Sequence, residues 1–309
     1  MLLNDPILVT GAAGFIGSHT CEELIGAGFQ VVGIDNLRTG RLSNLDSIRG
    51  NDDFSFLHID CLDWDKMDGL FELYRFTRVI HLAALVSVPE SFIDPKLNFA
   101  LNVEAVDNVA RLCGDYEVKK LVFASSAAVY GDTLRAELVG IPHPLSPYAV
   151  AKLTSETLIK GYASCYDFNQ TCLRYFNVYG PRQDPTSSYS GVISIFSDKY
   201  KKGEAVTVFG DGNQTRDFIH VKDVARANRL ALLSDTNEEQ SLDICTGRSL
   251  KLNYLLALLQ IRYSKNPLPI HTNEREGDIK HSSGNNTPAS ERIGFEAKIP
   301  FEDGVIELI

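Results

Sequence analysis

The amino-acid sequence predicts an α/β protein: a doubly wound parallel sheet carrying a smaller C-terminal lobe. Three observations carry that reading. An apolar strand runs through a glycine turn into a helix at residues 7–19. Strand and helix patterns then alternate about six times as far as Phe176, an order that sets parallel strands between two helical layers. From Asn177 the alternation lapses into chain rich in Pro, Asp and Ser, and it resumes only at Asp217.

In the first unit, Ile7-Leu8-Val9-Thr10 reads as a buried strand, and Gly11, Gly14 and Gly17 follow with the spacing G-x-x-G-x-x-G. The first glycine permits a tight turn and the second lets a pyrophosphate approach bare backbone. The third lets the helix pack close to the strand, with the helix N-terminus facing phosphate charge. A glycine triplet alone is equally an ordinary turn. Here an amphipathic run follows at residues 21–25, and a second strand, 29–34, ends in Asp35. An acid about 20 residues on accepts hydrogen bonds from a ribose diol and repels a 2′-phosphate. That favours NAD over NADP, although Arg38 stands nearby as a counter-indication. The stretch reads as a Rossmann-type dinucleotide-binding half.

A chain of 309 residues can hold such a domain and a second lobe, and 44% hydrophobic with 23% charged residues is ordinary globular composition. The net charge of −10 argues against nucleic acid or an anionic membrane as a partner, so a phosphate ligand must be met by a few local arginines. Six cysteines without a C-x-x-C pair read as reduced packing residues, and seven histidines without H-x-x-x-H make a metal site unexpected. With no signal-like segment and no long apolar span, a soluble, cytoplasmic protein is expected.

Along the chain, a polar loop (36–53) precedes a strand at 54–59 that ends at Asp60. A helix at 64–76 and a strand at 78–82 follow, the strand running into Ala83-Ala84. Strand ends are where a doubly wound sheet touches its ligand. Asp60 is equally a helix cap, and the alanine pair is equally close packing. Residues 95–113 read as one amphipathic helix with the stripe Leu97, Leu101, Val106, Val109, Leu112, and with Asn102 as a polar intruder. Then come a strand, 120–124, running into Ser125-Ser126, a proline-containing loop, a helix, 147–166, and a strand, 171–176. A helix at 221–233 and a strand at 241–245 return to the sheet; the tail holds one clear helix, 252–263, and then mixed polar loop. The expected division is a dinucleotide-binding domain of residues 1–177 and 217–247, and a substrate lobe of 178–216 and 248–309.

The chemistry points to Tyr148-Ala149-Val150-Ala151-Lys152, a Y-x-x-x-K on a helix. Residues four apart share a face, so the Lys152 ammonium can lie beside the Tyr148 phenol and lower its pKa toward the working pH. That makes Tyr148 a general base for an alcohol that loses hydride. Tyr116 and Lys120 match the same spacing, but they sit at the entrance to a strand. Ser126, at the strand end before the Tyr148 helix, can hydrogen-bond the same hydroxyl; its other reading is a turn serine.

These stretches, with His81-Leu82-Ala83-Ala84, Asn102-Val103, residues 125–131, 146–152 and 173–180, Gly210-Asp211-Gly212, residues 215–218 and Arg275-Glu276-Gly277-Asp278, resemble an extended short-chain dehydrogenase/reductase. Within that superfamily the chain is similar to the NAD-dependent nucleotide-sugar epimerases. The resemblance implies Ser126, Tyr148 and Lys152 as the catalytic trio. It implies a tightly kept NAD lined by Gly11, Gly14, Phe15, Ile16, Gly17, Asp35, Asn36, Asp60, Cys61, Leu82, Ala83, Ala84, Asn102, Tyr148, Lys152 and Tyr175. For the nucleotide sugar it implies Ser87, Ser126, Asn177, Val192, Thr207, Phe209, Arg216, Arg275, Asp278 and Ser282. Planar arginines suit a diphosphate, and a carboxylate such as Asp278 suits ribose hydroxyls; read alone, Arg216 and Arg275 are equally solvated surface charges.

Sibling dehydratases and decarboxylases carry acids just after the serine, where this chain has Ala127 and Ala128. The resemblance therefore implies return of hydride and net 4-epimerisation. Ser282, four residues beyond Asp278, stands where similar glucose/galactose-restricted epimerases carry tyrosine. Together with residues 87–89 and 182–185 it implies UDP-GlcNAc/UDP-GalNAc as the substrate pair. UDP-glucose/UDP-galactose and UDP-glucuronate epimerisation are the rivals, and a non-catalytic NAD-sensing protein is a remote one. A homodimer through a four-helix bundle of helices 95–113 and 147–166 is expected on the same ground.

Overall fold

A computed structural model describes residues 5–131, 141–185, 191–235, 241–263, 267–274 and 280–309. Its first half is built from β1 (Ile7–Thr10), α1 (Phe15–Gly26), β2 (Val31–Asp35), β3 (Phe54–His58), α2 (Trp64–Tyr74), β4 (Arg78–His81), α3 (Val88–Ile93), α4 (Pro95–Phe99), α5 (Ala105–Asp115), β5 (Lys120–Ser126), α6 (Pro147–Tyr166) and β6 (Asn169–Tyr175). There follow β7 (Asn177–Tyr179), α7 (Val192–Lys201), β8 (Thr207–Phe209), β9 (Thr215–His220), α8 (Val221–Leu233), β10 (Leu242–Ile244), β11 (Ser249–Lys251), α9 (Leu252–Arg262), β12 (Ile270–Thr272), α10 (Thr287–Ile293) and α11 (Phe301–Ile306).

Seven strands pair in parallel in the order β10-β6-β5-β4-β1-β2-β3. Chain direction across the sheet reverses between β1 and β4, which opens a crevice at their carboxyl ends. Alternate residues of each strand feed opposite cores. Ile7 and Val9 pack with Cys21 and Leu24 of α1 and with Val224 and Ala227 of α8. Leu8 packs with Met67 and Phe71 of α2, Val106 and Val109 of α5 and Ile159 of α6. The doubly wound parallel sheet expected from the sequence is present.

The lobe is assembled from two small sheets, β11-β9-β7 and β12-β8, around a core of Tyr179, Phe196, Tyr200, Leu255, Leu259 and Phe301. β9 lies in this lobe, while α8 and β10, which follow it, return to the large sheet. The stretch read as a lapse of the alternation holds β7, α7 and β8, and two further places depart from the sequence reading. The single helix expected at 95–113 is α4, a π-helical turn at Ala100–Glu104, and α5, with α3 ahead of it. The polar tail holds α10 and α11, each too short for a helical period to stand out and held by burying Ala289, Ile293, Phe301 and Val305. Among the described residues no helix is long and apolar enough to cross a membrane.

Candidate active site

The crevice holds a cavity of about 700 Å³ lined by the ends of β2, β5 and β6 and by the segments that follow β1, β2, β3 and β4, among others. Its floor is the β1–α1 turn. Gly11 takes φ +69°, and a Cβ there would stand 2.8 Å from the Ala83 nitrogen; a Cβ on Gly17 would stand 2.0 Å from the Gly11 oxygen. Thr10 locks the same two segments together. Its hydroxyl accepts from the Leu82 and Ala83 N–H groups, both at 3.1 Å, and lies 2.8 Å from His81 Nδ1. Burial, then the Lys152 charge, pulls His81 down to about 3, so this imidazole is neutral. The first turn of α1 carries no acid and no side-chain cap, leaving its backbone donors for a ligand's pyrophosphate.

At the other end of the cavity, Asp35 accepts from Ala13 N at 3.0 Å and Leu37 N at 2.7 Å. Burial raises its pKa and these amide donors oppose the rise. Asn36 donates to Asp60 at 2.8 Å, and Asp60 accepts from Leu62 N at 2.9 Å. The cap of α2 is Asp63, so Asp60 is not a helix cap. Burial pushes the Cys61 thiol up to about 12, which leaves it an inert part of the wall.

Ser126 and Tyr175 face each other across β5 and β6 at the carboxyl edge. Tyr175 donates to Asn228, which fixes its ring against the cavity. Lys152 Nζ donates to the Ala124 carbonyl at 2.9 Å and lies 5.9 Å from the Tyr148 ring centroid. The structure thus brings Ser126, Tyr148 and Lys152 to one wall of one cavity. The expected lowering of the phenol pKa is not produced by the chain alone. Burial raises Tyr148, with the Ser126 hydrogen bond pulling it back, and burial brings Lys152 down to about 7 against the opposing charge of Glu156.

Other expected contacts fall differently. Ser87 lines the cavity and caps α3 by accepting from Glu90 N at 2.9 Å. Asn102 lies behind the wall, fully buried, donating to Leu85 O at 3.0 Å and to Asn98 Oδ1 at 2.8 Å. In the lobe, Asn177 donates to Asp217 O at 3.0 Å and lies 3.5 Å from Ser282 Oγ. Phe209 borders a second pocket of about 180 Å³ with Gln214 and His281, on the strand that also carries Thr207. Arg216 donates to Thr215 O at 2.9 Å, and Val192 opens α7. None of Asn102, Asn177, Val192, Thr207, Phe209, Arg216 or Ser282 lines the main cavity, while Arg275 and Asp278 lie outside the described residues.

Sequence reasoning missed Glu156, one turn beyond Lys152. It is buried and accepts from Arg174 Nε at 2.9 Å, Arg174 Nη2 at 2.6 Å and Ser241 Oγ at 2.7 Å, and also from Ser125. An acid on the apolar face of a helix, with an arginine inside a buried strand, was the available signal. It also missed two ion pairs whose members line the cavity, Arg38–Glu90 and Arg41–Asp184.

Fold and cavity define a dinucleotide-dependent enzyme of the Rossmann type, with Ser126, Tyr148 and Lys152 lining the cavity. The glycine cradle, the open helix N-terminus and the acid at the end of β2 all fit NAD. Residues 7–245 match the NAD dependent epimerase/dehydratase family, and the chain belongs to it. Its cofactor is therefore NAD. A putative UDP-glucose 4-epimerase of Methanocaldococcus jannaschii is 37% identical over 306 residues, covering 98% of this chain and 97% of the relative. The Thermotoga maritima UDP-glucose 4-epimerase with UDP-glucose superposes with a TM-score of 0.91 at 37% identity, over 98% of this chain and 96% of that one. The UDP-N-acetylglucosamine 4-epimerase of Methanobrevibacter ruminantium, in complex with UDP-N-acetylmuramic acid, gives 0.92 at 35% identity, again over 98% and 96%.

Proposed function

We propose that this epimerase inverts C4 of a UDP-hexose through a transient 4-keto sugar, with UDP-GlcNAc and UDP-GalNAc as the preferred pair. The observation that carries the reaction is the placing of Tyr148, Ser126 and Lys152 on one wall of the NAD-sized cavity, with alanines at 127 and 128. The observation that favours the acetylated sugar is Ser282, a small side chain 3.5 Å from Asn177 in the lobe. A relative of similar fold carries a UDP-N-acetylated sugar, which supports the same reading.

Tyr148 takes the proton of the C4 hydroxyl and Ser126 holds the same oxygen by hydrogen bonding. NAD held by this cavity would supply the hydride acceptor and donor and, in its oxidised form, a positive charge. The protonated Lys152 adds to that charge, against the burial that raises Tyr148 and brings Lys152 down to about 7. With no acid at 127 or 128 to drive elimination, the keto sugar turns in the lobe and is reduced from its other face. The backbone donors of α1 hold the cofactor diphosphate, and Asp35 accepts from its ribose.

Asn177, Val192, Arg216, Arg275 and Asp278 belong to the nucleotide diphosphate in this proposal, and Thr207 and Phe209 to the substrate more broadly. Exposed Phe99 and Val150 leave apolar surface on the α4–α5 and α6 helices, which supports a homodimer through a four-helix bundle.

The test is incubation of the purified protein with UDP-GlcNAc, UDP-glucose and UDP-glucuronate in separate reactions, with products resolved by chromatography and bound NAD assayed. UDP-GalNAc as the main product supports the proposal. Preferential turnover of either other sugar assigns the protein to that rival, and retained NAD with no product from any of the three would leave a sensing role.

A further inference from the structure

One peptide group, Pro147–Tyr148, is gripped on both edges by side chains from the segment that follows β4. The Tyr148 N–H, at the second position of α6, belongs to the first turn of the helix and has no partner within it. It donates to Ser91 Oγ at 3.1 Å. Ser91 in turn commits its own proton to Val88 O at 2.6 Å, so its lone pair is aimed at Tyr148. On the opposite edge, the Pro147 carbonyl accepts from Asn98 Nδ2 at 3.1 Å. The orientation of Asn98 is set because its Oδ1 receives Asn102 Nδ2 at 2.8 Å, and the Asn102 amide also reaches Leu85 O at 3.0 Å. Ser91 and Asn102 are fully buried and Asn98 is nearly so.

The peptide plane is rigid, so holding both its carbonyl and its N–H fixes the direction in which the Tyr148 Cα projects its side chain. Ser146 caps the neighbouring Ala149 N–H at 3.1 Å, which leaves the Tyr148 amide to Ser91 alone. The same chain of amides reaches Leu85, between the cavity-lining residues Ala84 and Val86. Cofactor wall and phenol are thereby held to one frame. We propose that Ser91 and Asn98 are positioning residues for Tyr148, keeping its hydroxyl in register with Ser126 and the sugar oxygen. The proposal rests on Tyr148 being the base of the reaction.

The experiment is a double-mutant cycle between Ser91→Ala and Tyr148→Phe, read on cofactor-loaded enzyme with UDP-GlcNAc under single-turnover conditions. A displaced phenol slows the chemical step and leaves sugar binding alone. Ser91→Ala is expected to lower kcat about 5- to 50-fold with KM and NAD content unchanged. In the Tyr148→Phe background the same change is expected to have no further effect, because there is no hydroxyl left to misplace. Asn98→Ala loosens the other edge and should reproduce the pattern, which also guards against poor recovery of one variant. A lowered melting temperature with unchanged kcat, or a loss that adds fully to that of Tyr148→Phe, would overturn the positioning role while leaving Tyr148 as the base. Full activity in Tyr148→Phe itself would instead remove the reaction scheme.

Discussion

Gly17 sits so close over Gly11 that a methyl group on it would stand 2.0 Å from the Gly11 carbonyl oxygen and 2.8 Å from its carbon. Both contacts are with backbone, so nothing can rotate away. Gly17→Ala must therefore push α1 off β1, and the turn that receives the cofactor diphosphate opens with it. The expected result is a loss of about 2–4 kcal/mol in unfolding free energy together with loss of co-purifying NAD. Urea unfolding and cofactor content of the purified variant measure the two separately.

Tyr148→Phe removes one oxygen from a buried ring, and the ring's packing remains. The fold and bound NAD should be retained, with kcat reduced about 10²- to 10⁴-fold. Wild-type turnover in the variant would be incompatible with the phenol as general base.

Ser282→Tyr places a ring beside Asn177. If this side chain is the wall that admits an acetamido group, turnover of UDP-GlcNAc falls while that of UDP-glucose is kept. Equal loss on both sugars would show that position 282 does not discriminate between them.

Arg38–Glu90 and Arg41–Asp184 tie the loop after β2 to α3 and to the chain after β7 at the rim of the cofactor cavity. Partly exposed pairs of this kind are weak, so Glu90→Gln or Asp184→Asn should speed NAD dissociation about two- to fivefold. Raised salt should do the same to the wild type and less to the variants, as followed by cofactor loss on dialysis.

His81 stays neutral in the fold, its pKa brought to about 3 by burial and the Lys152 charge. In the unfolded chain the imidazole takes up its proton near its ordinary value of 6.5. Keeping it neutral therefore contributes full stability above that value. The contribution is lost as pH falls from 6.5 toward 3, by roughly 1.4 kcal/mol per unit, because the unfolded state binds the proton first. Unfolding free energy measured against pH should fall less steeply in this window for His81→Asn than for the wild type.

The strand–helix alternation that builds the large sheet, the glycine turn, the acid ending β2 and the Y-x-x-x-K helix were all legible in the sequence. Each depends on local periodicity or on residues a few positions apart, and a linear pattern records both. The same holds for Ser126, which follows directly from a recognisable strand. Tertiary structure alone decided where separate segments meet. It set Asn102 behind the wall, put β9 in the lobe, and joined Arg38 to Glu90 and Arg41 to Asp184. It also set burial against the expected lowering of Tyr148 in the chain alone, because burial depends on everything packed around the ring while spacing reports only its helical neighbour. The grip of Ser91 and Asn98 on one peptide group is of that kind: residues some fifty positions away become partners only after the fold has brought α3 and α4 against the start of α6.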